Sequence, residues 1–357
     1  MNRFDYIQPA SVSEAIAAAS APGSVYLAAG TNLLDLMKGG VARPDRVVDI
    51  TRLPGLDRVD WLANGSVRIG ALVRNADLAY HQRFASTFPA VAEALLSGAS
   101  PQLRNAATVG GNLLQRTRCA YFHDLASACN RRMPGTGCDA RDGENRLHAV
   151  LGWSDHCIAT HPSDFCVPLV AFDAVIEVEG PQGAREIAVD ALHRLPGNAP
   201  EREMALLPGE LIVAVRIPAE AAAFAPNARY LKLRERTSYA FAVVSAVAAL
   251  ELADGIIRQA RIALGGVAAK PWRPTEAEAS LAGMRPTAAG FAKAADLALA
   301  AAKPSGDNAF KIELARRLVV RALTFALEGT PAVMPALPAS PFSTMPGSAI
   351  TGADHVA

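Results

Sequence analysis

The sequence predicts an α+β chain of three small units in series, each pairing short strands with helices. Three observations carry that prediction. Apolar runs with strand-like alternation flank the pairs Asn64-Gly65 and Asp254-Gly255, which suit hairpin turns. Apolar positions three and four apart mark helices between them. A chain of 357 residues, 51% of them hydrophobic, is long enough to bury two or three cores.

The first unit, 1–57, opens with Ser11 ahead of the helical pattern SVSEAIAAAS, with Glu14 placed to complete a cap. The apolar strand SVYLAAG follows, and GTNLLDLMKGG combines a glycine turn with a second helix before VVDI returns as a strand. The second unit, 58–225, begins as a strand, a turn and a strand through LDRVDWL and SVRIGAL. The segment ADLAYHQRFASTFPAVAEALLSGA reads as helices separated at Pro89, while FDAVIEVEG and ELIVAVRIP read as strands. Between them, the stretch from Ser100 to Pro162 shows no regular pattern, and such length inside a domain usually marks a functional segment. In the third unit, 226–329, antiparallel strands flank Asp254-Gly255, Ala240 to Ala249 fits a buried strand or a helix, and Ala-rich helices run to about Leu327. Residues 330–357 are rich in proline and small side chains, with little to form a core.

Composition excludes several function classes. Thirty-five basic and 34 acidic residues leave a formal charge of +1, so no overall field points to nucleic acid. The apolar runs fall short of the roughly 20 residues that span a bilayer, so no membrane span is expected. Asp5 and Pro9 interrupt what would be the apolar core of a signal peptide, so no export signal is expected in this chain.

Two glycine turns can carry chemistry. Leu27, Ala28, Ala29, Gly30, Thr31, Asn32 and Leu33 follow the first apolar strand, and Thr108, Gly110, Gly111 and Asn112 form a second group in TVGGN. Glycine admits left-handed or crowded backbone, and successive amides with Thr and Asn side chains can cradle phosphate oxygens. Neither turn fits GxGxxG or a lysine-bearing P-loop, which disfavours conventional NAD and ATPase sites. A diphosphate cradle made from two segments and two independent structural turns both remain open.

Cys119, Cys129, Cys138 and Cys157 cluster inside the irregular stretch. Four thiolates can hold a tetrahedral zinc ion or the corners of an iron-sulfur cluster, and the spacing is too wide for paired CxxC knuckles, so residues alone leave the metal open. Arg116, Arg118, Arg131, Arg132, Arg141 and Arg146 surround them, either offsetting thiolate charge or forming a solvated basic face. His123, His148, His156 and His161 raise a mixed Cys/His alternative. Cys166, in the apolar run DFCVPLVAFDA, reads as a buried thiol outside the set. No HExxH pattern or nucleophilic triad supports hydrolase chemistry.

Taken together, AAGTNLLDLMKGG, PQLRNAATVGGNLLQRTRC and HPSDFCVPLVAFDA resemble the flavoprotein, or medium, subunits of molybdenum hydroxylases, over approximately Phe4 to Leu327. The cysteine insertion at about 115–160 is similar to that of the FAD subunit of three-subunit bacterial periplasmic aldehyde oxidoreductases. The resemblance implies a two-part FAD-binding domain followed by a small antiparallel sheet and helices. It implies FAD held by residues 27–33 and by Thr108, Gly110, Gly111 and Asn112, with Asp164 positioning the cofactor's polar chain and Lys232 in the segment lining the flavin side. It assigns a 4Fe-4S cluster to Cys119, Cys129, Cys138 and Cys157.

The implied partners are a large subunit with the molybdenum cofactor and a small subunit with two 2Fe-2S clusters, in a heterotrimer. Aldehyde oxidation belongs to the large subunit, so no catalytic residue is expected here; electrons reach FAD and then an external acceptor. Export with a signal-bearing small subunit would place the assembly in the periplasm, the cytoplasm being the alternative. Two departures stand out: Ala29 replaces the first glycine of the usual pair, and TSYAF follows Arg236 where the family carries an aspartate. The competing readings are a self-contained flavin oxidase and a structural zinc-bearing assembly protein.

Overall fold

The computed structural model describes residues 1–332 and has the α+β architecture expected from the sequence. From residue 333 on, the proline-rich tail lies outside the described residues.

Strands β1 (Asp5–Ile7), β2 (Ser24–Leu27) and β3 (Arg46–Asp49) form a parallel sheet in the order β1-β3-β2. The helix Val12–Ala19 starts where the sequence places it: the Glu14 amide donates to Ser11 Oγ at 3.2 Å, and the Ala10 amide donates back to the Glu14 carboxylate at 2.9 Å. β1 carries no alternation long enough to be read in advance.

The second sheet is antiparallel, in the order β4-β5-β8-β6-β7, from β4 (Val59–Trp61), β5 (Val67–Gly70), β6 (Val175–Gly180), β7 (Gly183–Ala188) and β8 (Leu211–Ile217). The β4–β5 turn has Gly65 at φ +85° and Asn64 Oδ1 accepting from the Ser66 amide at 3.0 Å. Pro89 occupies the first turn of the helix Pro89–Ser97, where its missing N–H costs nothing.

β9 (Ala228–Leu233), β10 (Val244–Ala253) and β11 (Ile256–Gly265) form an antiparallel sheet in the order β11-β10-β9, with Asp254 and Gly255 both left-handed at the hairpin. Of the ambiguous segment Ala240 to Ala249, Val244 onward resolves as strand because it is covered on both sides, while 240–243 lie outside any strand or helix. Ala246, Ala248 and Leu250 pack with the helices Thr275–Leu281, Ala288–Ala298 and Phe310–Glu328, while Val247 and Ala249 join the core of the second sheet.

The stretch from Ser100 to Pro162 is less irregular than its sequence implies. It contains the helices Pro101–Ala106, Val109–Leu113 and Ala120–His123 and a short 3-10 turn at Asp139–Arg141. Each is too short to produce a helical apolar period, which is why pattern reading passes over them. Among the described residues, no helix is long and apolar enough to cross a membrane.

Candidate functional site

A cleft opens where the first sheet meets the second. β2 ends at Leu27, the chain turns at Gly30 (φ +75°), and the helix Leu33–Lys38 begins after Asn32. A Cβ on Gly30 would stand 2.7 Å from Leu34 Cδ1, so the turn requires glycine there. Ala29 is not left-handed, so its departure from a glycine pair carries no backbone strain.

The amides of Ala29, Gly30, Thr31, Asn32 and Leu33 find no acceptor among the described residues. Asn32 Oδ1 accepts from the Arg116 amide at 3.0 Å, while the buried Asn32 Nδ2 has no partner. A row of free amides beside an orphaned amide nitrogen is a donor surface for anionic oxygens.

The TVGGN segment behaves differently. It is a helix start capped by Thr108, and its amides are spent inside the protein. Val109 donates to Val73 O and Gly110 to Ala71 O, both at 2.9 Å, Gly111 to Thr108 Oγ1 at 3.2 Å, and Asn112 to Thr108 O at 2.9 Å. What this segment offers the cleft is bare backbone. A Cβ on exposed Gly111 would meet only Thr108 Oγ1 at 3.2 Å, whereas one on Gly110 would meet Ala71 Cβ at 2.9 Å and Ala71 O at 3.0 Å.

Ala28, Ala29, Gly30, Thr31, Asn32 and Leu33 line the cleft together with Thr108, Gly110 and Gly111, but Leu27 does not. Its continuation is lined by Asn112, Asp164, Arg104, Arg118, Tyr239 and Phe241. Asp164 accepts from Tyr230 Oη at 2.6 Å and Lys232 Nζ at 2.8 Å, and Lys232 also donates to Ser97 O at 3.1 Å. Asp164 therefore faces the cleft, and buried Lys232 supports it from behind. Burial, reinforced by Asp164, holds the Tyr230 hydroxyl well above its ordinary range.

The arginines and aromatics of this wall were not singled out in the sequence as cofactor contacts. Arg118 stacks over Phe241 at 4.9 Å, and its Nε is buried without a partner. Tyr239 is left-handed at φ +52°, in the TSYAF stretch where the sequence departs from the family pattern.

The four clustered cysteines line one small cavity with Tyr121, Phe122, Asn130 and Arg131. It lies close in sequence to the cleft, since Arg116 lines the first and Cys119 the second. Cys129 pairs with Cys138 in an isolated antiparallel bridge, and all four are free of disulfides. The amides of Phe122 and Tyr121 lie near the Cys119 sulfur, those of Ile158 and Ala140 near that of Cys138, and the buried Arg131 guanidinium near that of Cys157, while the Phe122 amide donates to the Cys119 carbonyl at 3.1 Å and Arg131 to Glu203 at 3.0 Å. His148 Nε2 lies 3.2 Å from Cys119 Sγ.

Burial pushes the Cys119 thiol up to about 11, and that of Cys138 in the same direction, so a shared thiolate state calls for a cationic centre. Around one zinc ion the sulfurs would stand about 3.8 Å apart, from a Zn–S bond of about 2.3 Å. No three of these four sulfurs lie within 4.8 Å of one another; among the described residues that closeness belongs to His161, Cys166 and His193.

Comparison with known proteins follows the geometry. Residues 2–220 match the family model described as the FAD binding domain in molybdopterin dehydrogenase, and residues 229–326 match the CO dehydrogenase flavoprotein C-terminal domain. The chain is 47% identical over 328 residues to the aldehyde oxidoreductase FAD-binding subunit PaoB of Escherichia coli (strain K12), covering 91% of this chain and 99% of that protein. It is 29% identical over 333 residues to the carbon monoxide dehydrogenase medium chain of Hydrogenophaga pseudoflava, covering 91% and 97%. Among solved structures, carbon monoxide dehydrogenase from Hydrogenophaga pseudoflava aligns with a TM-score of 0.71 at 28% identity, covering 92% of this chain and 98% of that one. The reconstituted enzyme from Oligotropha carboxidovorans aligns at 0.73 and 25% identity, covering 92% and 99%.

Proposed function

The chain belongs to the FAD-binding medium subunits of the molybdenum hydroxylases, and from that premise we propose that it is the electron-transferring FAD and 4Fe-4S subunit of an aldehyde oxidoreductase. The observation that carries the finer reading is the gathering of Cys119, Cys129, Cys138 and Cys157 around one cavity beside a cleft lined with free amides.

FAD and an iron-sulfur cluster, when bound, supply electron exchange in single and paired steps. The chain's own residues bind and orient. The amides of residues 29–33 and Asn32 Nδ2 would donate to a diphosphate, while the bare backbone at Gly111 allows close approach from the opposite side. Asp164, held by Tyr230 and Lys232, presents a fixed acceptor to the cofactor's polar chain. The four cysteines would hold the cluster, and the nearby amides and Arg131 would offset thiolate charge.

The same reading assigns aldehyde oxidation to a large molybdenum-cofactor subunit and supplies electrons through a small subunit with two 2Fe-2S clusters, in a heterotrimer serving an external acceptor. The name of the PaoB relative supports the aldehyde class. Export to the periplasm with a signal-bearing small subunit belongs to this proposal; mature assembly found only in the cytoplasm would reject it.

The test is anaerobic purification of the assembly, with flavin, iron, sulfide and molybdenum analysis and low-temperature EPR after reduction. Cys138→Ser should lose the cluster signal in folded protein that keeps FAD. Zinc without flavin, or aldehyde turnover by the isolated chain, overturns the assignment.

A further inference from the structure

Behind the helix Val109–Leu113, His161, Cys166 and His193 converge, and the proposed function uses none of them. Their ligand atoms lie within 4.8 Å of one another, and all three residues are buried, at 8%, 0% and 4% exposure. His193 Nε2 is held by the Leu113 carbonyl at 2.8 Å, which places the proton there and leaves Nδ1 as a bare lone pair. That Nδ1 has no partner, and neither has His161 Nε2. The two rings lie tilted against each other, with centroids 4.1 Å apart and planes at 54°, and no hydrogen bond joins them.

Two buried nitrogens without partners, on residues whose ligand atoms gather within 4.8 Å of a thiol, require an explanation that hydrogen bonding within the protein does not supply. The chemistry of the groups narrows it. Burial first, then His193 and Arg131, holds His161 well below its ordinary range, and burial pushes His193 down to about 4. Both imidazoles are neutral at neutral pH, the form that ligates metals. Burial drives the Cys166 thiol up to about 12, so its proton leaves only in exchange for a cation.

We propose that His161, Cys166 and His193 form a buried three-ligand site for a thiophilic d10 cation, with Cu+ the best match to its charge. Two imidazoles and one thiolate are donors that copper and zinc take in preference to magnesium or calcium. The nearby charges are already paired, Arg131 with Glu203 at 3.0 Å and Lys270 with Asp190 at 2.8 Å. A monovalent ion with one thiolate leaves the site neutral, whereas a divalent ion adds charge in a buried position. Ligation through His161 Nε2 moves its proton to Nδ1 and gives up one contact, the Ser163 amide at 3.4 Å. Ligation would require small side-chain rotations to bring the three ligand atoms to bonds of about 2.0–2.3 Å.

The site is independent of the proposed FAD and 4Fe-4S assignments. The full chain, purified with its partners, is titrated with Cu+ and separately with Zn2+ against a competing chelator, with elemental analysis and X-ray absorption of the bound ion. The wild type should retain a single equivalent with sulfur and nitrogen neighbours. Cys166→Ala should weaken binding at least about 100-fold, the upper end of what losing even an outer-shell partner costs. Iron content should not change in that variant. Cys138→Ser should keep the cation whether or not it loses iron, which separates failure of this site from failure of the cluster assignment. His193→Gln serves if Cys166→Ala does not fold. Substoichiometric, freely exchanging metal in the wild type, an adventitious ion only, overturns the proposal, as does equal affinity in the folded Cys166 or His193 variant.

Discussion

Gly110 and Gly111 are adjacent in the second glycine turn, yet the structure gives their substitutions opposite consequences. In Gly110→Ala the new methyl would stand 2.9 Å from Ala71 Cβ and 3.0 Å from Ala71 O, the carbonyl that accepts the Gly110 amide. Backbone must shift to admit it, an overpacking cost of about 1–3 kcal/mol. The helix gains at most about 1 kcal/mol in propensity from losing a glycine, so destabilisation wins. In Gly111→Ala the methyl meets only Thr108 Oγ1 at 3.2 Å, which a small side-chain movement relieves, and the propensity gain leaves stability unchanged or slightly raised. That methyl projects toward the cleft, where the cofactor backbone is proposed to approach. FAD affinity should fall about 10- to 100-fold, or about 1.4–2.8 kcal/mol. Urea unfolding of flavin-free chains measures the first effect without the stabilisation that bound flavin adds, and flavin-fluorescence titration measures the second. Wild-type flavin affinity in Gly111→Ala, or wild-type stability in Gly110→Ala, would refute the reasoning.

Two further perturbations test the supports of the site. Asp164→Ala leaves the buried Lys232 ammonium with Ser97 O as its remaining acceptor and should cost about 3–5 kcal/mol in urea unfolding; a loss below about 1 kcal/mol would show that the pair is not a structural support. Lys311 is fully buried and donates to Leu147 O, His148 O and Gly266 O at 2.9, 2.8 and 2.7 Å, pinning the cysteine segment to the end of β11, and burial pushes its ammonium from 10.5 down to about 7. Because the native pKa lies below the unfolded one, the unfolded chain binds more protons between about pH 7 and 10, and stability contributed by this group rises with pH. The stability of wild type relative to Lys311→Met should rise across that window by up to about 1.4 kcal/mol per pH unit, and a pH-independent difference would overturn it.

Local chemistry made much of this protein legible from its sequence. The Ser11 and Glu14 cap, the Asn64-Gly65 and Asp254-Gly255 turns and the break at Pro89 depend on residues within a few positions of one another, and each forms where the sequence places it. The four cysteines, clustered along the chain, also reach a common cavity. Tertiary structure decided what depends on distant partners. The amides of 29–33 stay free while those of 109–112 are spent, because Ala71 and Val73 happen to present carbonyls to the second turn. Lys232 stands behind Asp164 because β9 carries it there, and Leu27 does not line the cleft that its neighbours line. His193 joins His161 and Cys166 from more than twenty residues downstream, so no spacing rule would unite them. Residue type sets which bonds a group can make, but whether a donor or a ligand atom remains uncommitted is settled only when the rest of the chain has packed around it.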